Sequence, residues 1–161
     1  MRELRTEPLS GDRIGQAYPL IQASLPQVPL GAWTAFARAM MMIAQAEQAD
    51  TGIITVLSEQ DYIAGLCSYR IEPDLVHGRS LTAEPFLAID MFHRMAVVHA
   101  LADAIEAIAR ERRCDAIHTT LPDKRGGRGH RGLAFDLTDR GHQVESVRLC
   151  KILPYRAQGA T

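Results

Sequence analysis

The stretch "IDMFHRMAVVHALADAIEAIARERRCDAIHTTLP", residues 89–122, decides the fold. It reads as the end of a strand, a long amphipathic helix over about 92–113, and a second strand. Met95, Val98, Leu101, Ala102, Ile105, Ile108 and Ala109 recur at three- and four-residue spacing, the stripe of a helix packed on one side. Its last turn, "RERR", puts cations at the negative end of the helix dipole. "DAIHTTLP" is a strand halted by Pro122. A strand–helix–strand unit of this kind is expected to be a right-handed parallel crossover. The helix opens on His93, Arg94 and Met95, where a phosphate-binding turn normally shows glycines. Taken alone, the segment is an ordinary packed helix.

On the N-terminal side, "RELRTEP" alternates and stops at Pro8, which suits a short first strand. Ser10 or Asp12 caps a helix running to about Leu25, with Pro19 a point where it breaks in two. "LGAWTAFARAMMMIAQAEQA" is a second helix, with Trp33, Phe36, Ala37, Met40, Ile43 and Ala44 on one face. The period then changes. "TGIITVLSEQ" and "YIAGLCSYRIE" are β-type runs joined by a polar turn, and "SLTAEPFLAID" is a third strand beside them. Beyond Pro122, "DKRGGRG" reads as a loop and "HRGLAFDLTDRG" as a short helix stopped by Gly141. "HQVESVRLCKIL" is expected to be the closing strand. The order β, α, α, β, β, β, α, β, α, β predicts an α/β (α+β) fold. It would hold a mixed, mostly antiparallel sheet with helices on both faces and one β-α-β crossover. A single domain over residues 1–153 and a C-terminal tail over 154–161 are expected.

Composition narrows the classes. The chain of 161 residues is 47% hydrophobic and 23% charged, ordinary for one soluble domain. Arg38 interrupts the longest apolar run, "FARAMMMIA", so no bilayer span is expected. "MRELRTEPL" is charged throughout and unlike a signal peptide, which makes cytoplasmic placement the expectation. Cys67, Cys114 and Cys150 stand singly in apolar surroundings, read as small buried hydrophobes rather than a disulfide scaffold or zinc site. A net charge of −1 and a pI near 6.6 give no global pull toward nucleic acid or membrane. His77, His93, His99, His118, His130 and His142 show no HxxxH-type spacing, so no metal site is expected from the sequence. GxSxG and GxxxxGK[ST] are both absent.

"EPFLAID" before the long helix, "ALADAIEAIARERRCDAI" within it and "GLAFDLTDRGHQVESVRLCKIL" at the end carry a resemblance. In these pieces and in the order of elements, essentially the whole chain resembles the GCN5-related N-acetyltransferase (GNAT) superfamily. The resemblance implies an acyl-CoA-dependent N-acyltransferase, with acetyl-CoA or another acyl-CoA as co-substrate. A small-molecule or peptide amine would accept the acyl group by direct attack. In the family the turn into the long helix reads R/Q-x-x-G-x-G/A, and its backbone N–H groups hold a pyrophosphate. From the strand side Arg94 takes the family's Arg position, giving "RMAVVH"; from the "ARERRC" end His93 does, giving "HRMAVV". Neither register has both glycines. The cofactor contacts so implied are Leu87, Ala88 and Ile89 on the strand, with Arg94, Met95, Ala96, Val97, Val98 and His99 at the helix opening. Met95, Val98 or His99 would narrow the approach.

The family's base is commonly a glutamate on the strand before the helix, and Glu84 is the matching carboxylate. Its strand is otherwise apolar, where desolvation makes a carboxylate a stronger base. Pro85 follows, a residue tolerated in a strand at a bulge. His118, on the strand after the helix, is the second candidate base. The family's closing tyrosine is missing: anchored on Gly141, the matching positions hold Asp136 and Leu137, with Phe135 one place earlier. Tyr62 or Tyr69 would have to approach from the meander.

The helices over about 11–49 and the hairpin would form the acceptor pocket, with Trp33, Phe36, Met40, Met41 and Met42 as an apolar wall. A second reading is a non-catalytic GNAT-fold binding or interaction protein that has lost efficient cofactor binding, with a homodimer among its expected forms. The basic loop Lys124, Arg125, Arg128, His130 and Arg131 has the charges to grip the 3′-phosphate of CoA, an acidic substrate or RNA phosphates, but is read as a plain mobile loop. With no aromatic residue nearby and a neutral chain, nucleic acid is the least supported partner.

Overall fold

The computed structural model describes residues 4–46, 50–89, 94–121 and 130–153, with backbone alone for 130–132. β-type runs in the middle of the chain, apolar on both faces, build the sheet. β2 (Thr51–Leu57), β3 (Ile63–Asp74) and β4 (Gly78–Ala88) pair antiparallel in turn. β1 (Arg5–Pro8) adds to the outer edge of β2, and β5 (Ala116–Thr119) joins β4 in parallel. The five strands therefore lie in chain order, mixed and mostly antiparallel, as expected.

Because neighbouring residues in a strand face opposite ways, each buried strand feeds two cores. Ile54, Val56, Cys67, Leu81, Ala83 and Phe86 face α3 (Arg94–Glu111), meeting its Val97, Val98, Leu101 and Ile105. Leu133 and Leu137 of α4 (His130–Asp139) close that core. Ile53, Leu57, Ile63, Leu66 and Leu87 face the other way. They meet α1 (Ile14–Ser24) and α2 (Leu30–Ala44) through Ala17, Leu20, Ile21, Trp33 and Ala37. Trp33 Nε1 donates to the Ile14 carbonyl at 2.7 Å, locking α2 to α1. α3 lies so close on β3 that a Cβ at Gly65 would stand 2.7 Å from Val97 Cγ1.

Several details depart from the pattern in the sequence. Pro19 does not split α1. It sits on the exposed side, where the Gly15 carbonyl it leaves without a donor can tilt out to water. On α2 the buried stripe is Trp33, Ala37 and Met40, while Phe36 and Ile43 are exposed. That helix is apolar on more than one side, so period alone could not choose the face. On α3, Met95 faces out and Val97 is buried in its place. Cys150 is exposed, not buried. Gly141, at φ +92°, does stop α4: its N–H bonds to Thr138 O at 3.0 Å and that of His142 to Leu137 O at 3.1 Å.

The largest correction is the closing strand. Residues 142–153 form no strand, and Val144, Val147, Leu149, Ile152 and Leu153 are all exposed. β5 offers only a 4-residue edge, and the polar side chains of the segment, not its apolar ones, reach the sheet. No helix among the described residues is long and apolar enough to cross a membrane. His93, the loop residues Lys124, Arg125 and Arg128, and the tail over 154–161 lie outside the described residues, as do the side chains of His130 and Arg131.

Candidate active site

A bulge sets the position of Glu84. Cys67 pairs with Phe86 and Tyr69 with Ala83, so β4 carries one residue more than β3 across this step. Pro85, with no N–H to give, falls in that interruption, where a ladder can spare it. Ser68 Oγ donates to the Glu84 carbonyl and steadies the bulge. The last β4–β5 pair is Ala83 with Thr119, and the Thr120 N–H reaches Ala83 O at 3.0 Å. Beyond it β4 runs on to Ala88 without β5. Glu84 thus stands at the mouth of a fork between the two strands.

The fork has its own backbone donor. Ile89 N–H is committed to Ala64 O on β3 at 2.8 Å. Strand alternation points Leu87 the same way, and turns the Ala88 N–H to the edge that β5 leaves open. Of the three strand residues expected to face an acyl group, Ala88 is the one whose amide is aimed there.

At the opening of α3, the bulky residues fall on different sides. Val97 and Val98 are buried in the core, away from the approach, whereas Met95, Ala96 and His99 are exposed. The N–H groups of a first helical turn suit a diphosphate, and Val98 does not obstruct them. Arg94 brings a complication. Its guanidinium lies 3.5 Å from Asp136 Oδ2, on a side chain only 6% exposed. A diphosphate would find its expected cation already opposed by a buried carboxylate. The sequence marked Asp136 only as the place of a missing tyrosine; its pairing with Arg94 carries no local signal.

Glu84 is also engaged. Its carboxylate is paired with Arg148 of the 142–153 segment, and this hydrogen bond lifts the Arg148 guanidinium above its ordinary range. His118 is not brought to Glu84. Its Nδ1 is 3.7 Å from Asp74 Oδ2 and its Nε2 is 3.1 Å from Glu145 Oε2. Tyr69 lies over Gly52 and is pushed up by burial, and Tyr62 is exposed between β2 and β3. Burial pushes the Cys67 thiol up as well, which removes it as a nucleophile. Of the expected acceptor wall, Trp33 and Met40 belong to the core, Met41 is half-buried, and Phe36 and Met42 are exposed.

No family model matches the sequence, and no curated protein sequence does. Solved structures do match over nearly the whole chain. A transcriptional regulator from Bacillus halodurans C-125 aligns with TM-score 0.71 at 15% identity, covering 94% of this chain and 100% of its own. An aminoglycoside 6′-N-acetyltransferase from Acinetobacter baumannii aligns with TM-score 0.70 at 14% identity, covering 95% and 100%. An aminoglycoside N-acetyltransferase solved in complex with CoA aligns with TM-score 0.69 at 14% identity, covering 98% and 97%. At such identities the shared property is the fold.

Proposed function

From a chain that has the fold of the GCN5-related N-acetyltransferases, we propose an acyl-CoA-dependent N-acyltransferase acting on a small-molecule or peptide amine. The observation that supports this most is the fork: a carboxylate, and a backbone N–H that strand alternation turns away from β3, at the point where β4 leaves β5, next to the start of α3. The acyl-CoA diphosphate would take the amides of the first turn of α3, from Arg94 to Val97. The thioester would enter between β4 and β5. The Ala88 N–H would meet the oxygen on which negative charge develops as the amine attacks. Glu84, directly or through one water, would take the proton the amine must lose, and the thiolate of CoA leaves without an assigned protein acid. We place the base on Glu84 and not on His118, whose two nitrogens face Asp74 and Glu145.

In this reading Arg148 guards the base. Held on a carboxylate oxygen of Glu84, it occupies the site a water or amine would use, so the 142–153 segment must yield before turnover. The same ion pairs favour a second reading, a binding protein whose fork is filled by its own residues. Acyl-CoA separates the two. A ligand that binds only the folded state raises its stability, so the melting temperature should climb with acetyl-CoA or a longer acyl-CoA. No shift at millimolar ligand would sink the transferase. If it binds, Glu84→Gln should lower kcat by about 100- to 10,000-fold with little change in KM for acyl-CoA. Equal losses in kcat and cofactor affinity would make Glu84 a structural residue.

A further inference from the structure

Three residues that no spacing rule connects meet at the far side of the β4–β5 pair. His77 comes from the turn between β3 and β4, His118 from β5, and Glu145 from the 142–153 segment. One ligand atom from each lies within 4.8 Å of the others. His77 Nε2 is 2.5 Å from Glu145 Oε1, and His118 Nε2 is 3.1 Å from Glu145 Oε2. The rings meet edge to face with centroids 5.4 Å apart.

We propose that His77, His118 and Glu145 form a binding site for one divalent transition-metal ion of the zinc class, backed by Asp74. Two features argue for a metal over a plain ion pair. The first is the surroundings of Asp74. Its Oδ1 accepts the N–H groups of Val76 and His77, both at 2.8 Å, and its Oδ2 accepts from Ser80 Oγ at 3.3 Å. So fixed, Oδ2 stands 3.7 Å from His118 Nδ1. A small ring movement makes it the acceptor for an Nδ1–H, the tautomer that leaves Nε2 a lone pair, and carboxylate–histidine–metal sites are built this way. The second is His118 Nε2 itself, which is shut off from solvent and makes no hydrogen bond of good geometry among the described residues, although a carboxylate oxygen faces it. In that tautomer a lone pair and an anionic oxygen face each other, an arrangement that a cation between them relieves. Ligand atoms about 2.0–2.1 Å from a tetrahedral zinc stand about 3.3 Å apart, close to the separation found for that pair, whereas His77 Nε2 and Glu145 Oε1, at 2.5 Å, have to part to admit the ion.

Two imidazoles and a carboxylate suit zinc, cobalt, nickel or copper, and not magnesium or calcium, which take oxygen shells. With three protein ligands the fourth position is left to water. The site would fasten the 142–153 segment to the sheet only three residues before Arg148. It is independent of the transferase reading.

The test uses the full chain stripped with EDTA and titrated with Co(II) and then Zn(II) near pH 7.5. One equivalent of Co(II) should bind saturably, give the visible absorption of a four-coordinate ion, and be displaced by Zn(II). Binding should raise the melting temperature and slow proteolysis within 142–153. It should weaken as pH falls, because protons compete for the imidazoles. His118→Ala and Glu145→Gln should abolish binding, and Asp74→Asn should lower affinity by about 10- to 100-fold. His142→Ala, whose Nε2 faces Thr119 Oγ1 at 3.2 Å outside the cluster, should bind as the parent does. His77→Ala replaces His118→Ala if the latter fails to fold. Absence of a saturable single equivalent, binding that survives both histidine substitutions, or an equal loss in His142→Ala overturns the proposal. A thermal shift with acetyl-CoA in the metal-free protein keeps the two readings separate.

Discussion

Residues 51–88 and residues 142–153 both carry the apolar, β-type side chains of strands, yet only the first buries them. In the meander Ile53, Val56, Leu66 and Leu81 are buried between layers of helix. In the C-terminal segment Val144 is 99% exposed and Leu149 90% exposed. What differs is the company. β2, β3 and β4 have strand partners on both edges and a helix on each face, whereas 142–153 meets a 4-residue strand and is held by side-chain pairs to His77, His118, Thr119 and Glu84. A β-type run states a readiness to be buried; a neighbour has to be there to bury it.

The sharpest way to break this contrast is a matched pair of truncations. Leu101→Ala empties a site fully enclosed between α3 and the sheet, and should cost about 2–5 kcal/mol of unfolding free energy in urea. Val144→Ala should stay within about 0.5 kcal/mol. A cost of several kcal/mol for Val144→Ala would mean that the segment is packed in solution, and the contrast would fail. Next in size is Gly65→Ala. Its Cβ would press on Val97, a side chain stiff at χ1 and fully buried, so about 1–3 kcal/mol should be lost. In the Val97→Ala background the same substitution should cost clearly less, the two residues being coupled by contact. An additive pair would place α3 farther from β3.

Much of the fold was legible because it rests on local period and punctuation. The meander, the α3 stripe and the Gly141 stop each announce themselves within about a dozen residues. Glu84 is the carboxylate the resemblance points to on the strand before the long helix, and Pro85 beside it fits that strand at an interruption such as the bulge found there. The rest depends on register and on distant partners. That Asp136 answers Arg94, that Arg148 covers Glu84, and that His77, His118 and Glu145 converge are consequences of how β3, β4, β5 and α4 are laid side by side. No spacing in the chain encodes them. The closing strand failed for a similar reason: its pattern was real, but the length of β5 and the reach of Glu145 and Arg148 decided the outcome.

Thiol chemistry reads the same contrast without altering the core. Cys67 is enclosed on β3 and burial pushes its thiol up, so little thiolate exists and no reagent reaches it. Cys150 is exposed on the C-terminal segment. A disulfide reagent at pH 8 should modify Cys150 in the folded protein at once and Cys67 only as the chain unfolds, with mass spectrometry assigning the sites. Slow labelling of Cys150 would show that something covers 142–153 in solution.

Arg148→Ala is the smallest change and the most specific. Exposed ion pairs contribute little to global stability, so the unfolding midpoint should not move. The segment should respond all the same, since Arg148 is one of the few side chains holding it to the sheet. Amide exchange over 145–150 should quicken while that of β3 and β4 stays as it was. If Arg148 also guards Glu84, the same variant should turn over acyl-CoA faster, and Glu84→Gln should erase that gain. An Arg148→Ala protein with unchanged exchange in 145–150 would show that the pair with Glu84 does not hold the segment. The polar tether that sets this region apart from the meander would then have to be sought at Glu145 and its histidines.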